Sequence, residues 1–175
     1  MHVFVDESKR GSAYLVCATV VPPRAVNQAR RAVRALLRQG ERRVHFVKEH
    51  PSRRREILAA LTVIEARTRV YVCRGPAPAA RRACLAQLIE DLAVMGASRL
   101  VIESREGRDQ QDRHTIFTAM QAGTGPAGLV YEHMRPHEEP LLWPSDAVAW
   151  AYGAGGDWRR RVDPLLEKVT DLDRP

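Results

Sequence analysis

Three carboxylates sit where they could do chemistry: Asp6, Glu103 and Asp146. Asp6 closes the apolar run Val3-Phe4-Val5, and Glu103 closes Leu100-Val101-Ile102. Asp146 follows Pro144-Ser145 at the start of an apolar stretch. A carboxylate at the end of a strand lies on the rim of a sheet, where α/β proteins bind ligands. Clustered carboxylates repel one another and need a cation or a raised pKa. All-oxygen donors suit Mg²⁺ or Mn²⁺, and such ions hold phosphodiesters and activate water. Each residue also has a structural reading. Asp6 would serve a turn or cap, Glu103 would pair with Arg105, and Asp146 would be a first-turn acid favoured by the helix dipole.

Other residues are weighed against these three. Glu7 and Arg105 are accessory candidates, although strand alternation turns Glu7 away from Asp6. His114 would orient water or assist a leaving group if it reached the carboxylates, and a surface histidine is the competing reading. His45 is read either as an accessory to the site or as a packed, half-buried ring. Glu90 and Asp91 are candidates for a fourth ligand or for solvated helix acids. His133 and His137, with Glu138 and Glu139, are too loosely spaced for a zinc assignment. Neither a phosphate loop nor a serine-nucleophile elbow occurs. The basic runs at Arg53-Arg54-Arg55 and Arg159-Arg160-Arg161 would contact phosphates, or simply face water. Trp143, Trp150, Tyr152 and Trp158 would stack on bases or pack the last helix.

The elements that must position these groups follow from periodicity. Residues 2–7 alternate and read as a strand, and residues 13–21 read as its hairpin partner, stopped by Pro22-Pro23. A period of 3.6 takes over from Arg24 to Arg38, with Val26, Ala29, Val33, Leu36 and Leu37 on one face. Val44–Val47 reads as a short extended piece. A helix opens near Pro51. Residues 68–73 form a strand, residues 79–95 a helix, and residues 99–103 a buried strand. Residues 109–121 form a helix that turns Ile116, Phe117 and Met120 inward. A strand at 129–134 and a helix from Pro144 to Tyr152 follow. An amphipathic segment from Trp158 to Val169 closes the chain. The order predicts one α/β domain over 1–175, a mixed sheet with helices on its faces, carrying 156–175 as a C-terminal extension.

Bulk properties narrow the class. A length of 175 residues suits one core, and 45% apolar content is ordinary for a globular chain. No run approaches a membrane span. MHVFVDES carries acids where a signal peptide keeps positive charge, so the expected location is the cytoplasm. Cys17, Cys73 and Cys84 are odd in number and lie in apolar runs, which reads as buried free thiols. Net charge is +7, and only Lys9, Lys48 and Lys168 are lysines among 28 basic residues. Arginine-rich surfaces attract phosphate, although a genome rich in G and C has the same effect on composition. An exposed sheet edge would also let two copies pair as a homodimer.

The motifs resemble one family. Val3-Phe4-Val5-Asp6-Glu7-Ser8, the second strand ending at Pro22, Val44-His45-Phe46, Leu100-Val101-Ile102-Glu103 and Leu141–Ala151 are together similar to the bacterial domain-of-unknown-function family 3800. The resemblance runs from residue 3 to about 151. It implies a ribonuclease H-like fold and a metal-dependent nuclease acting on DNA or RNA, with Asp6, Glu103 and Asp146 as ligands. The chain departs from the pattern at Lys9, where glycine is usual, at Glu103, where aspartate is commoner, and at Trp143-Pro144 and Ser145. These departures keep a second expectation open: a non-catalytic module that binds nucleic acid or protein.

Overall fold

A computed structural model describes residues 1–174. A β-hairpin opens the chain, with β1 at His2–Arg10 and β2 at Ala13–Val21. Gly11, at φ 57°, turns the hairpin, a conformation that glycine adopts without Cβ strain. Helices α1 (Val26–Arg34) and α2 (Pro51–Leu61) lead to β3 (Arg67–Arg74). Then α3 (Ala77–Val94), β4 (Arg99–Glu103), α4 (Asp109–Gln121) and β5 (Val130–Met134) alternate. Helices α5 (Leu142–Ala154) and α6 (Gly156–Val162) precede a last strand, β6 (Leu166–Asp171).

The strands form one mixed sheet in the order β5-β4-β1-β2-β3-β6. β1 is antiparallel to β2 and parallel to β4, and β4 is parallel to β5. Alternation divides the apolar side chains between two cores. Phe4, Leu15, Cys17 and Val101 pack under α1, α2 and α5 on one face. Val3, Val5, Val16, Leu100 and Ile102 pack under α3 and α4 on the other. Helix α5 is apolar nearly all round because it lies against β1 and β2, with Leu142, Trp143, Ala147, Val148 and Ala151 buried. Among the described residues, no helix is long and apolar enough to cross a membrane.

Four local expectations are corrected. Val44–Val47 is not extended: Phe46–Lys48 is a turn of 3₁₀-helix that places the Phe46 ring in the core. The helix expected at 24–38 is regular only from Val26 to Arg34. Phe117 is 62% exposed rather than inward, because α4 turns Asp112 and Ile116 to the core instead. The segment after Trp158 contains β6, which pairs in parallel with β3 and completes the sheet. Its exposed Glu167, Lys168 and Val169 explain why it reads as an amphipathic segment. β5 and β6 are the edges at which any strand pairing between two copies would have to act.

Candidate functional site

Asp6, Glu103 and Asp146 line one pocket of about 100 Å³, together with Arg43, His45, Arg105, Pro136 and Trp143. Register explains the meeting. The parallel β1–β4 ladder pairs Phe4 with Val101 and Val5 with Ile102, so the next step sets Asp6 beside Glu103. Both residues share the parity of Phe4 and Val101 and point to the α5 face. Asp146 arrives from α5, and its Oδ2 accepts the Phe46 N–H at 3.3 Å. Ser145 pins that turn of α5 to the sheet. Its hydroxyl donates to the Phe4 carbonyl at 2.8 Å and accepts the Thr19 N–H at 3.2 Å. Ser145 thus anchors the helix beside the carboxylates.

One cation pairs with two of the three carboxylates. The Arg105 guanidinium lies 2.9 Å from Asp6, 3.1 Å from Glu7 and 3.8 Å from Glu103. Asp6 Oδ1 also accepts the Glu7 N–H at 2.7 Å. Burial, reinforced by the hydrogen-bonded Glu103 carboxyl and its charge, pushes Asp6 well above the usual carboxylate range, against the pull of Arg105. Burial and then the Asp6 charge push Asp146 up to about 7, opposed by the Phe46 N–H, Arg43 and Arg105. Burial, then Arg43 and Lys48, lower the His45 pKa.

The raised Asp146 pKa has a consequence for stability. Between about pH 4, its ordinary range, and its folded value of about 7, the folded chain binds more protons than the unfolded one. Stability from this group therefore falls as pH rises through that window. Asp146→Asn removes the effect. In metal-free buffer, the thermal midpoint of wild type should lose ground to that of the variant from pH 4 to pH 7. Parallel profiles would show that Asp146 titrates normally.

The remaining expected residues divide by sheet face. Glu7 faces away from Asp6, as alternation requires, and lies among Arg81, Arg105 and Arg108. His114 is exposed on α4 and lines a different groove, with Phe117, Met120 and Tyr131, so it does not reach the carboxylates. Glu90 and Asp91 are on α3, across the sheet. Asp91 accepts the Tyr71 hydroxyl at 2.9 Å and pairs with Arg69. His133 sits 3.2 Å from Asp112, and Glu139 pairs with Arg30 at 2.6 Å, so neither belongs to a zinc site with the other. Arg53 is committed to Glu56 and the Leu36 carbonyl, Arg159 to Tyr152, and Arg160 to Asp157. Of the arginines nominated for phosphates, Arg54 alone connects to the pocket, by donating to the Phe46 carbonyl at 3.0 Å.

Two buried charges behind the site were not singled out in the sequence. Arg81 donates to Asp112 at 2.7 and 2.6 Å and to the Tyr14 hydroxyl at 3.0 Å, and it also contacts Glu7. Each lies on the apolar stripe of its helix: Arg81 with Cys84, Leu85 and Leu88, and Asp112 with Ile116. A charged residue at a core position of a helical period was the available signal.

The donor chemistry suits a hard divalent cation, since three carboxylates line one pocket and two of them are driven toward the neutral form. Among the described residues, however, no three His, Cys, Asp or Glu side chains are spaced to hold a metal ion. Arg105 brings positive charge to Asp6 and Glu103.

A mixed sheet of this order, with helices on both faces, defines the protein as ribonuclease H-like in fold. Among solved structures, it is similar to that of the PCNA:RNase HII complex from Archaeoglobus fulgidus, with a TM-score of 0.59 and 14% identity over 94% of this chain and 75% of the other. No protein-family model and no curated protein sequence matches the chain.

Proposed function

We propose that this protein is a divalent-metal-dependent nuclease, hydrolysing phosphodiester bonds of DNA or RNA at the pocket of Asp6, Glu103 and Asp146. One observation carries the reading. Carboxylates from β1, β4 and α5 converge on the rim of a ribonuclease H-like sheet, as the family 3800 resemblance implies. Asp6, Glu103 and Asp146 would hold Mg²⁺ or Mn²⁺. The chemistry such ions supply is polarisation of the phosphoryl group and activation of water. The chain's own residues do the rest. Asp6 and Asp146 are held toward the neutral form, and an ion held there would require them to be deprotonated. Arg105, paired with Asp6 and Glu103, would compete with such an ion for these carboxylates and offers a guanidinium suited to a phosphate. Arg43 and His45 offer further donors on the same wall.

The test is direct. Purified protein, incubated with labelled single-stranded DNA, duplex DNA and RNA in Mn²⁺, should cut at least one of them, and EDTA should stop the cleavage. No cleavage of any substrate in Mn²⁺ or Mg²⁺ defeats the reading.

The Arg105 pairing favours a second reading, in which the internal cation replaces the metal permanently and the domain only binds nucleic acid or protein. Calorimetry separates the two. A titration with Mn²⁺ that releases no binding heat, beside intact nucleic-acid binding, selects the second.

A further inference from the structure

We propose that Arg10 and Arg54, gathered on the Trp150 ring, form a phosphate-binding station for a nucleic-acid strand leaving the carboxylate pocket. The inference deepens the nucleic-acid reading above and rests on it for the class of ligand.

The β1–β2 hairpin outruns its neighbour. Pairing with β4 ends at Val5–Ile102, whereas pairing with β2 continues to Arg10–Ala13. Residues 6–10 of β1 therefore project beyond the rim. Asp6 and Arg10 share a face, about 13 Å apart along a strand rising ~3.3 Å per residue. Helix α5 lies over the same face. Its Asp146 and Trp150, one turn apart and about 6 Å along the axis, are the partly exposed positions between buried neighbours. Strand and helix thus run outward together from the carboxylates to Arg10 and Trp150.

The Arg10 guanidinium lies 5.2 Å from the Trp150 ring centre, and that of Arg54 lies 4.1 Å from it. Phe46 and Trp158 meet the same ring edge-on, each at 5.5 Å. With two cations and two aromatic neighbours around it, the indole is a mount for guanidiniums rather than a free platform for a base. The Arg10 stem packs on Gly153, where a Cβ would come within 2.8 Å of the Arg10 Cγ. Arg54 spends two donors on the Phe46 and Val47 carbonyls, at 3.0 and 2.6 Å. Phe46 also donates its N–H to Asp146, so one residue braces both the pocket and the station.

These cations, fixed on one ring beside the pocket, also lack counter-ions. Arg30, Arg69, Arg74, Arg81, Arg99 and Arg105 all face carboxylates. Among the described residues, no salt bridge includes Arg10 or Arg54. Two fixed guanidiniums without a counter-ion, beside a pocket read as a phosphodiester site, are built for another phosphate of the same strand. Arg10 keeps its whole planar fork for a bidentate contact.

Binding of fluorescein-labelled single-stranded DNA and of its duplex, measured by anisotropy in EDTA across a salt series, tests this without reference to cleavage. Arg10→Gln should weaken binding about tenfold at low salt and flatten the slope of log affinity against log salt by about 0.7–0.9. Arg10→Glu should weaken it further. Arg113→Gln, on α4 across the sheet, should change neither. The exposed Arg10 has no ion pair to lose, so far-ultraviolet dichroism and the thermal midpoint should stay close to wild type for both Arg10 variants. Unchanged affinity and slope in Arg10→Gln overturn the station, as does a wild type that binds neither probe. Weakened binding in a protein that never cuts would sink only the nuclease reading. Cleavage with unweakened binding would sink only the station.

Discussion

Asp6→Asn is expected to reduce Mn²⁺-dependent cleavage by about a thousandfold or more, ~4 kcal/mol of transition-state stabilisation, while the protein stays folded. Asp6 is the central carboxylate. Its neighbour Glu103 helps raise its pKa, its charge raises that of Asp146, and it accepts the Arg105 guanidinium at 2.9 Å. An amide keeps the shape but cannot neutralise a cation. The change should not cost stability. Because burial and Glu103 hold Asp6 well above its unfolded pKa, its ionised form opposes folding at neutral pH. The thermal midpoint of the variant in metal-free buffer should equal or exceed that of wild type, as expected where function is kept at the expense of stability. Single-turnover cleavage rates and melting curves check both halves. Cleavage within tenfold of wild type would remove Asp6 from the chemistry.

The second large effect lies behind the site. Arg81→Met should destabilise the fold by about 3–5 kcal/mol, read as a lower urea midpoint at unchanged slope. Methionine keeps much of the stem volume but leaves Asp112 buried beside only His133, and it removes a cation from Glu7. Replacing both partners of a buried pair is far cheaper than replacing one. The double variant Arg81→Met with Asp112→Leu should therefore recover part of the loss, giving a coupling energy above about 1 kcal/mol. Additive losses would mean that the pair stabilises nothing jointly. The network also reaches the carboxylate pocket, since Glu7 ties Arg81 to Arg105, and Arg105 reaches through to Asp6.

Much of this arrangement was legible along the chain. Alternation in residues 2–7 placed Asp6 and Glu7 on opposite faces, and the structure sends one to the α5 pocket and the other to the Arg81 network. The run Leu100–Ile102 ended its strand on Glu103, as observed. Period and composition found α2, α3 and α5 to within a few residues. Local signals failed where tertiary contacts decide. Phe46 is apolar in a short β-rich run, yet it turns in a 3₁₀-helix because its ring fills the core and its N–H meets Asp146. Leu166–Asp171 reads as part of an amphipathic segment, and it is a strand because the edge of β3 supplies its partners.

Residue types and their periods therefore determined a mixed α/β sheet and the strand that ends on Glu103, because burial of one face imposes a period on each element. The first strand, expected to stop at residue 7, instead runs past Asp6 to Arg10 because β2 pairs with it to the hairpin turn. Only the tertiary structure decided that Asp6, Glu103 and Asp146 share one pocket, since their meeting depends on parallel register between β1 and β4 and on where α5 crosses them. It also decided what the arginines do. Sequence runs drew attention to Arg53, Arg159 and Arg160, whose guanidiniums are taken up by Glu56, Tyr152 and Asp157. Arg105 among the carboxylates, and Arg10 on Trp150, owe their roles to neighbours far away in the chain. A charge acts through space, and spacing in sequence does not measure that distance.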